Sequence, residues 1–389
     1  MVNVAEEISD CPKCGSGNLI MKGKGIALSR KYYRQRYWCR DCEARFSSER
    51  IPFMVEEEFK YISKPVPSQA WTAYDQAKTS EKLMLMNLLG ELSGILRFEE
   101  ASRVGRPRND LYEMVFCLAL KTYSKLPCRR LISDLEIAKR MELITHVPHF
   151  TSIMNYFRSS EITPVLQELI RLSSLPLKQV ESDFAVDSSG FSTSSFGRWF
   201  DHKFGKESER RIYRKAHIMI GVKTNIVTSV EVTKGECGDS LLFEPLVNST
   251  SQRFDIAEVS ADRAYSARPN LELVNRIGGV PYIPFKSSTT GKAVGSMIWA
   301  KMFEYFKNHK QEFFEHYHKR SNVESTFMMI KQKFGSNLVT KSFAAQQNEI
   351  LCKILCHNLA VLIQEYFEQN LQITFSTQAQ KANEIKAKS

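Results

Sequence analysis

Four cysteines near the N-terminus limit the fold of this chain more narrowly than any other feature. Cys11 and Cys14 lie in "CPKCGSG", Cys39 and Cys42 lie in "YWCRDCEARF", and 24 residues separate the two pairs. Each C-x2-C pair can form a tight turn that presents two thiolates, and two such turns complete a tetrahedral zinc site. A redox pair or an iron site is the alternative, but redox chemistry needs only one such pair. We predict a zinc ribbon over residues 1–50 in which these four cysteines bind a structural Zn²⁺.

The residues between the cysteine pairs are basic and aromatic. Residues 11–50 contain ten Lys and Arg against three acidic residues, and the net charge of the whole chain is +11. Cations beside aromatic rings suit contact with phosphates and stacking on bases. A ribbon that only carries charge, or one that binds protein, is the alternative. We favour DNA and predict that Lys31, Arg34 and Arg36 contact it.

Length and composition indicate a multidomain globular protein. The 389 residues exceed the size at which one hydrophobic core stops growing, and 43% of them are hydrophobic. No apolar run approaches the ~20 residues of a membrane span, and the first residues lack the apolar core of a signal peptide. The five remaining cysteines occur singly, as expected for free thiols in a reducing cytoplasm.

Changes in sequence pattern suggest where the domains begin and end. An acidic, proline-containing stretch at 51–70 resembles a linker. Residues 71–175 have helical periodicity and are predicted to form a helical DNA-binding domain. A helix-turn-helix is one interpretation of this segment, and an ordinary helical hairpin is the other. We assign 176–370 to a catalytic domain and 371–389 to a polar tail.

The pattern after Pro176 is that of an α/β domain. "SDFAVDSSGF" is a short apolar strand with Asp187 at its exit, "AHIMIGVKTNIVTSVEVT" is a hairpin, and "DIAEVSADRAYS" is a strand that ends at Asp262. Helical segments then alternate with strands. An antiparallel meander followed by crossovers predicts a mixed sheet covered by helices.

A later segment, "YHKRSNVESTFMMIK", has a polar helix face. At about 100° per residue, Tyr317, Arg320, Glu324 and Lys331 fall within about 60° of one another. An apolar stripe lies beside them, formed by Val323, Phe327, Ile330 and Phe334. A surface helix with solvated charges is the simpler interpretation. A helix that brings one carboxylate and two cations to a site is the other.

Three acidic residues can form a pocket of oxygen ligands. Asp187 and Asp262 follow neighbouring strands, and Glu324 lies on the helix. Mg²⁺ prefers a few carboxylates together with water and phosphate oxygens. Two ions in such a pocket can activate a nucleophile and stabilise the leaving oxygen of a phosphodiester. A strand-end aspartate considered alone is more often a cap or a turn residue.

These residues carry a resemblance to a known family. Asp187, Asp262 and Glu324, with the spacing Y-x2-R-x3-E-x6-K from Tyr317 to Lys331, resemble the catalytic core of DDE insertion-sequence transposases with the YREK signature. The resemblance covers residues 180–365, and residues 70–175 resemble the helical DNA-binding region of the family. It implies an RNase H-like, mixed five-stranded sheet with flanking helices. The zinc ribbon is an addition that many relatives lack.

The resemblance also implies a reaction and its partners. The three acids would bind two Mg²⁺ or Mn²⁺, Arg320 and Lys331 would hold phosphates of the DNA end, and Tyr317 would make a further phosphate contact. Double-stranded DNA would be cut at the element's ends, and the freed 3′-OH would attack target DNA. A homodimer on DNA in a prokaryotic, nucleoid-associated cytoplasmic setting is expected.

Trp299 is one further candidate, because some relatives stack a flipped base on a tryptophan in this stretch. A core tryptophan is the alternative. Two alternatives to the transposase also stay open. One is another RNase H-like nuclease or integrase, and the other is a DNA-binding regulator or inactive transposase relative.

Overall fold

The computed structural model of the chain describes residues 9–27, 32–48, 51–52, 70–95, 108–193, 213–292, 294–373 and 375. The chain divides into two compact units, Met1–Ser68 and Gln69–Ser389. Lys31, most of the predicted linker and most of the predicted tail lie outside the described residues.

The first unit contains a small antiparallel sheet. β2 lies between β1 and β3 and also pairs with β4, and the bounds are β1 Leu19–Ala27, β2 Tyr32–Cys39, β3 Arg45–Ser47 and β4 Ile51–Pro52. Successive side chains of β2 alternate between the two faces. Tyr37 and Cys39 are buried, whereas Arg34 and Arg36 are exposed. One face therefore packs on the cysteines and the other faces solvent.

Helices surround a long central helix in the second unit. The central helix is the C-terminal α11, Phe343–Gln369. The surrounding helices are α1 Trp71–Gly94, α2 Leu111–Ser124, α3 Cys128–Arg140, α4 Phe150–Phe157 and α5 Ile162–Ser174. α11 packs against α1, α2 and α5. It is long and apolar enough to cross a membrane, but 72% of its most apolar window is buried inside the protein. Its hydrophobic surface is therefore covered by the other helices and by the sheet.

A five-stranded mixed sheet forms the centre of the segment predicted to be catalytic. The strands lie in the order β7-β6-β5-β8-β9, with β5 Asp183–Ser192, β6 Tyr213–Gly221, β7 Val227–Lys234, β8 Glu258–Ala261 and β9 Val280–Tyr282. β5, β6 and β7 pair antiparallel, and β5, β8 and β9 pair parallel. The predicted RNase H-like sheet is confirmed.

Helices flank this sheet and lead to the candidate site. They are α6 Phe243–Ser251, α7 Arg268–Arg276, α8 Met297–Asn308, α9 Lys310–Tyr317 and α10 Ser321–Phe334. A single helix was predicted from Tyr317 to Lys331, and this is wrong in detail. A 3₁₀ turn at His318–Arg320 separates α9 from α10, and its Lys319 binds Asp183 and Glu258 at 2.7 Å each.

The two faces of the sheet bury different cores. Ala185 and Phe191 of β5 belong to the core shared with α11, whereas Phe184 and Val186 belong to the core under α6 and α7. The helices of 71–175 share the first of these cores with the sheet, so packing does not divide the chain at residue 175. The separate role of 71–175 in DNA binding stays a prediction. So does the helix-turn-helix interpretation of α3 and α4.

Candidate active site

The parallel pairing of β5 and β8 brings the two aspartates together. Val186 pairs with Ala261, so the next residues, Asp187 and Asp262, leave this ladder at the same level. Asp187 Oδ1 accepts a hydrogen bond of 2.8 Å from the Ser188 amide. Asp262 caps a short 3₁₀ turn by accepting 2.7 Å from the Arg263 amide. Both carboxylates are thus held at the same edge of the sheet.

Arg320 joins Asp187 to Glu324. Its Nη1 lies 2.6 Å from Asp187 Oδ2, and its Nη2 lies 2.5 Å from Glu324 Oε1. The side chains of Arg320 and Asp187 are 19% and 20% exposed, whereas that of Glu324 is 60% exposed. The guanidinium therefore bridges one largely buried carboxylate and one open to solvent.

The surroundings of Asp187 disfavour its negative charge. Burial raises the pKa of Asp187, and the charges of Asp262 and Glu324 raise it further. The Ser188 amide and Arg320 oppose this effect, but the pKa stays above its ordinary value. A carboxylate in this position is stabilised by additional positive charge.

Lys331 and Tyr317 border the same region. Lys331 Nζ donates 2.6 Å to Ser189 Oγ and lies over the Phe191 ring, and burial lowers its pKa. The Arg320 guanidinium lies 5.9 Å from the ring centroid of Tyr317. Tyr317, Arg320, Glu324 and Lys331 therefore occupy one region of the structure, even though a 3₁₀ turn interrupts the helix.

A cleft of about 600 Å³ opens beside β5 and α10. Its lining combines two of the acids, two serines, apolar side chains and a cation: Asp187, Ser188, Ser189, Glu324, Phe327, Met328, Lys331, Gln332 and Ser336. Asp187, Glu324 and Lys331 thus line the same open space.

The donor set fits hard divalent cations. Three carboxylates offer only oxygen ligands, and Mg²⁺ prefers such ligands completed by water and phosphate. Their oxygens do not yet form a close cluster. Within the described part of the chain, the only His, Cys, Asp or Glu ligand atoms found within 4.8 Å of one another, in groups of three or more, are those of the four cysteines. Arg320 would have to release Asp187 or Glu324 before one ion could bind both.

Trp299 lies in the aromatic core next to α9. It is 6% exposed, its ring meets Phe285 edge-on at 4.8 Å, and its Nε1 donates to the Thr290 carbonyl at 3.1 Å. The Arg268 guanidinium lies 4.7 Å from its ring centroid. This ring is enclosed by protein, so a base can stack on it only if Trp299 leaves its present position.

The four N-terminal cysteines form a compact sulfur cluster. Cys11 Sγ lies 3.6 Å from Cys42 Sγ, and Cys14 Sγ lies 3.6 Å from Cys39 Sγ. A Zn–S bond of about 2.3 Å places neighbouring sulfurs of a tetrahedron about 3.8 Å apart, close to these distances. Gly15 has a φ of +69°, which lets the first turn close with Gly15 N donating to Cys11 O at 2.8 Å. The residues fit structural zinc.

The solvent face of the ribbon sheet concentrates positive charge around a tryptophan. Trp38 pairs directly with Arg45, and Arg34 and Arg36 precede it on the same face of β2. Lys22 Nζ lies 4.9 Å from the centroid of the Trp38 ring. Trp38 and Arg45 were not singled out from the sequence, although strand alternation beside Arg34 and Arg36 contained the necessary signal.

Comparison with known families agrees with this geometry. Residues 178–359 match the family described as the transposase DDE domain. The match supports a DDE-type transposase. The matched segment contains the five-stranded sheet and all three acids of the proposed transposase site. Among solved structures, the chain is similar to a piggyBac transposase in a synaptic complex with hairpin DNA, with 11% sequence identity and a TM-score of 0.34 over 80% of this chain and 81% of that one.

Proposed function

We propose that this protein is a DNA transposase that cleaves the ends of a mobile element and joins the freed 3′-OH ends to target DNA. The observation that supports the proposal is that β5 and β8 bring Asp187 and Asp262 to the same level, while Arg320 links Asp187 to Glu324 beside a cleft that Lys331 also lines. The family match over 178–359 supports the same reaction class. A protein that only binds DNA has no need to hold three carboxylates together against their mutual repulsion.

The residues of the cleft divide the work. The three acids would hold divalent metal ions, whose chemistry would be to activate the attacking hydroxyl and stabilise the leaving oxygen. Lys331 and Arg320 orient the scissile strand by binding its phosphates, and Tyr317 makes a further phosphate contact. Positioning and charge neutralisation supply most of the rate enhancement in such a transfer.

Arg320 has two roles in this proposal. Without DNA it neutralises part of the charge of Asp187 and Glu324. DNA phosphates compete with the carboxylates for the same guanidinium, because both groups can accept two parallel hydrogen bonds from it. DNA binding therefore frees the carboxylates for metal.

The ribbon supplies a second DNA contact on the same chain. Arg34 and Arg36 bind phosphates and Trp38 stacks against a base or sugar, while the cysteine cluster holds the sheet with zinc. Two linked contacts raise the effective affinity for one DNA molecule. We further propose that a homodimer acts on paired ends, in a prokaryotic cytoplasm.

A cleavage and strand-transfer assay tests the proposal. The substrate is labelled duplex DNA from the regions that flank the coding sequence, incubated with full-length protein and Mg²⁺ or Mn²⁺. Wild type should cut and join this DNA, and Glu324→Gln should bind it without cutting. Glu315→Gln on α9 is the matched control, because Glu315 is exposed and lies outside the cleft. Equal cleavage by wild type and Glu324→Gln would exclude catalysis by this trio.

A further inference from the structure

A second polar cluster lies directly behind Asp187, on the opposite face of the sheet. Ser188 follows Asp187 on β5, so its side chain points to the core under α6 and α7. There the Ser188 hydroxyl donates 2.8 Å to Asp239 Oδ1. Asp239 begins the 3₁₀ turn Asp239–Leu242, which leads into α6. The proposed reaction assigns no role to this aspartate.

The cluster is built to keep Asp239 ionised. Lys215 Nζ of β6 lies 2.5 Å from Asp239 Oδ1. Burial opposes the charge of Asp239, but Lys215 and Ser188 lower its pKa below the ordinary value. His217 Nδ1 lies 3.4 Å from the same oxygen, yet burial lowers the pKa of His217 to about 4. Lys215, and not the histidine, therefore balances the carboxylate at neutral pH.

Tyr265 closes the cluster on the side of β8. Its amide donates to the Asp262 carbonyl at 2.9 Å, and its side chain is 1% exposed. Burial raises the pKa of Tyr265, and the charges of Asp239 and Asp187 raise it further. The buried ring packs on Phe243, with ring centroids 5.7 Å apart.

A short chain of hydrogen bonds connects Asp239 to the catalytic carboxylate. Asp239 accepts from the Ser188 hydroxyl at 2.8 Å, and the Ser188 amide donates 2.8 Å to Asp187 Oδ1. The β5–β6 ladder already holds the backbone of Ser188, and the bond from its hydroxyl to Asp239 adds a second restraint from the far side of the sheet. The direction of the amide that orients Asp187 thus depends on both.

We propose that Asp239 is a positioning residue for the transposase reaction, which acts through Ser188 to hold Asp187 in the orientation that binds metal. The inference rests on the proposed function for the role of Asp187. Partners that orient a metal-binding carboxylate through hydrogen bonds change metal affinity or activity by about 10–100-fold when they are removed. Asp239 does not line the cleft, so we expect it to affect the orientation of Asp187 and not DNA binding.

Two substitutions cut the chain at different points. Ser188→Ala removes the hydroxyl and leaves the Lys215–Asp239 pair intact, whereas Asp239→Asn removes the charge. Each should reduce Mn²⁺ affinity, measured by calorimetry without DNA, and the single-turnover cleavage rate by about 10-fold. The dissociation constant for DNA should not change. Because both act through one bond, the double variant should lose little more than the larger single loss.

Controls separate this positioning role from a general loss of structure. Ser240→Ala is the matched control, because Ser240 lies in the same turn but accepts a hydrogen bond from Asn270 and none from Ser188. It should retain wild-type metal affinity and cleavage. If Asp239→Asn does not fold, Ser188→Ala decides alone. Wild-type metal affinity and rate in Ser188→Ala, or fully additive losses in the double variant, would overturn the proposal.

The metal measurement also distinguishes the two proposals from each other. Suppose that wild type fails to cleave DNA but still binds Mn²⁺ through Asp187, as judged by the loss of binding in Asp187→Asn. In that case the proposed reaction is wrong, and the role of Asp239 is decided by the Mn²⁺ affinity of Ser188→Ala. If wild type cleaves and Ser188→Ala matches it in both measurements, only the role of Asp239 is wrong.

Discussion

Replacing Arg320 by methionine should change metal binding and catalysis in opposite directions. Methionine keeps an unbranched apolar side chain beside Tyr317 but removes the guanidinium that bridges Asp187 and Glu324. In the DNA-free protein, a cation that binds both carboxylates competes with this bridge. The variant should therefore bind Mn²⁺ more tightly, while it cleaves DNA more slowly because a phosphate contact is lost.

The size of the effect follows from burial. The bond from Arg320 to Asp187 joins side chains that are 19% and 20% exposed, so it contributes about 1.5–3 kcal/mol, as hydrogen bonds to charged groups do. The bond to Glu324 is worth only about 0.2–1 kcal/mol, because Glu324 is 60% exposed. Removing the competition should strengthen metal binding by about 2 kcal/mol, which is roughly a 30-fold lower dissociation constant.

Calorimetric titration of the DNA-free protein with Mn²⁺ measures this change. Arg263→Met is the control for the loss of one nearby positive charge. Arg263 is exposed, and its described contact with Asp262 is made by its backbone amide, which the substitution keeps. That control should change the affinity much less than Arg320→Met. Unchanged or weaker Mn²⁺ binding in Arg320→Met would show that the guanidinium does not compete with metal, and the reasoning would fail.

Three further predictions follow from other parts of the chain. Burial lowers the pKa of His357 to about 4, so the folded protein does not bind a proton that the unfolded chain binds below about pH 6.5. The free energy of unfolding should therefore fall by about 2 kcal/mol between pH 7 and pH 5 because of this residue. Urea unfolding of His357→Gln should show a weaker dependence on pH by the same amount. Zinc chelation or Cys14→Ser should remove amide-exchange protection from residues 9–48 but not from β5 or α11, and retained protection in metal-free protein would contradict a structural zinc site. Arg36→Ala should lower the salt slope of DNA binding by about one, whereas Trp38→Ala should weaken binding by about 1–3 kcal/mol at constant slope; equal, salt-independent effects would argue against the ribbon as a DNA contact.

Local patterns were enough to predict the parts of the fold that depend on short stretches of sequence. The two C-x2-C pairs predicted a sulfur cluster, because each pair needs only its own turn to present two thiols. The strand patterns around Asp187 and Asp262 predicted strands, and the order of elements predicted the mixed sheet. The cysteine cluster and the single strands were predicted from short stretches, whereas the mixed sheet required the order of elements along the whole segment from β5 to β9.

Contacts between distant residues could not be predicted in the same way. Helical spacing brings Arg320 near Glu324, but Asp187 lies 133 residues from Arg320, and nothing in the spacing indicates their contact. The break between α9 and α10 has the same origin. It accompanies the bonds of Lys319 to Asp183 and Glu258, which are 136 and 61 residues away. Tertiary contacts of this kind override the helical periodicity of a single segment.

The residue pair Asp187–Ser188 shows why a strand proposed to be catalytic contains more functional information than its acidic residue alone. Neighbouring side chains on a strand point to opposite faces, so the hydroxyl of Ser188 is directed away from the face that carries the Asp187 carboxylate. It can, however, bind the layer behind the sheet, and its amide still faces the aspartate, as the two 2.8 Å bonds of Ser188 show. On the face of Ser188, Phe184 and Val186 are buried, whereas the residues from Ser188 onward are small and half-buried. This change along one face draws attention to Ser188, but its bond to Asp239, 51 residues away, is visible only in the structure.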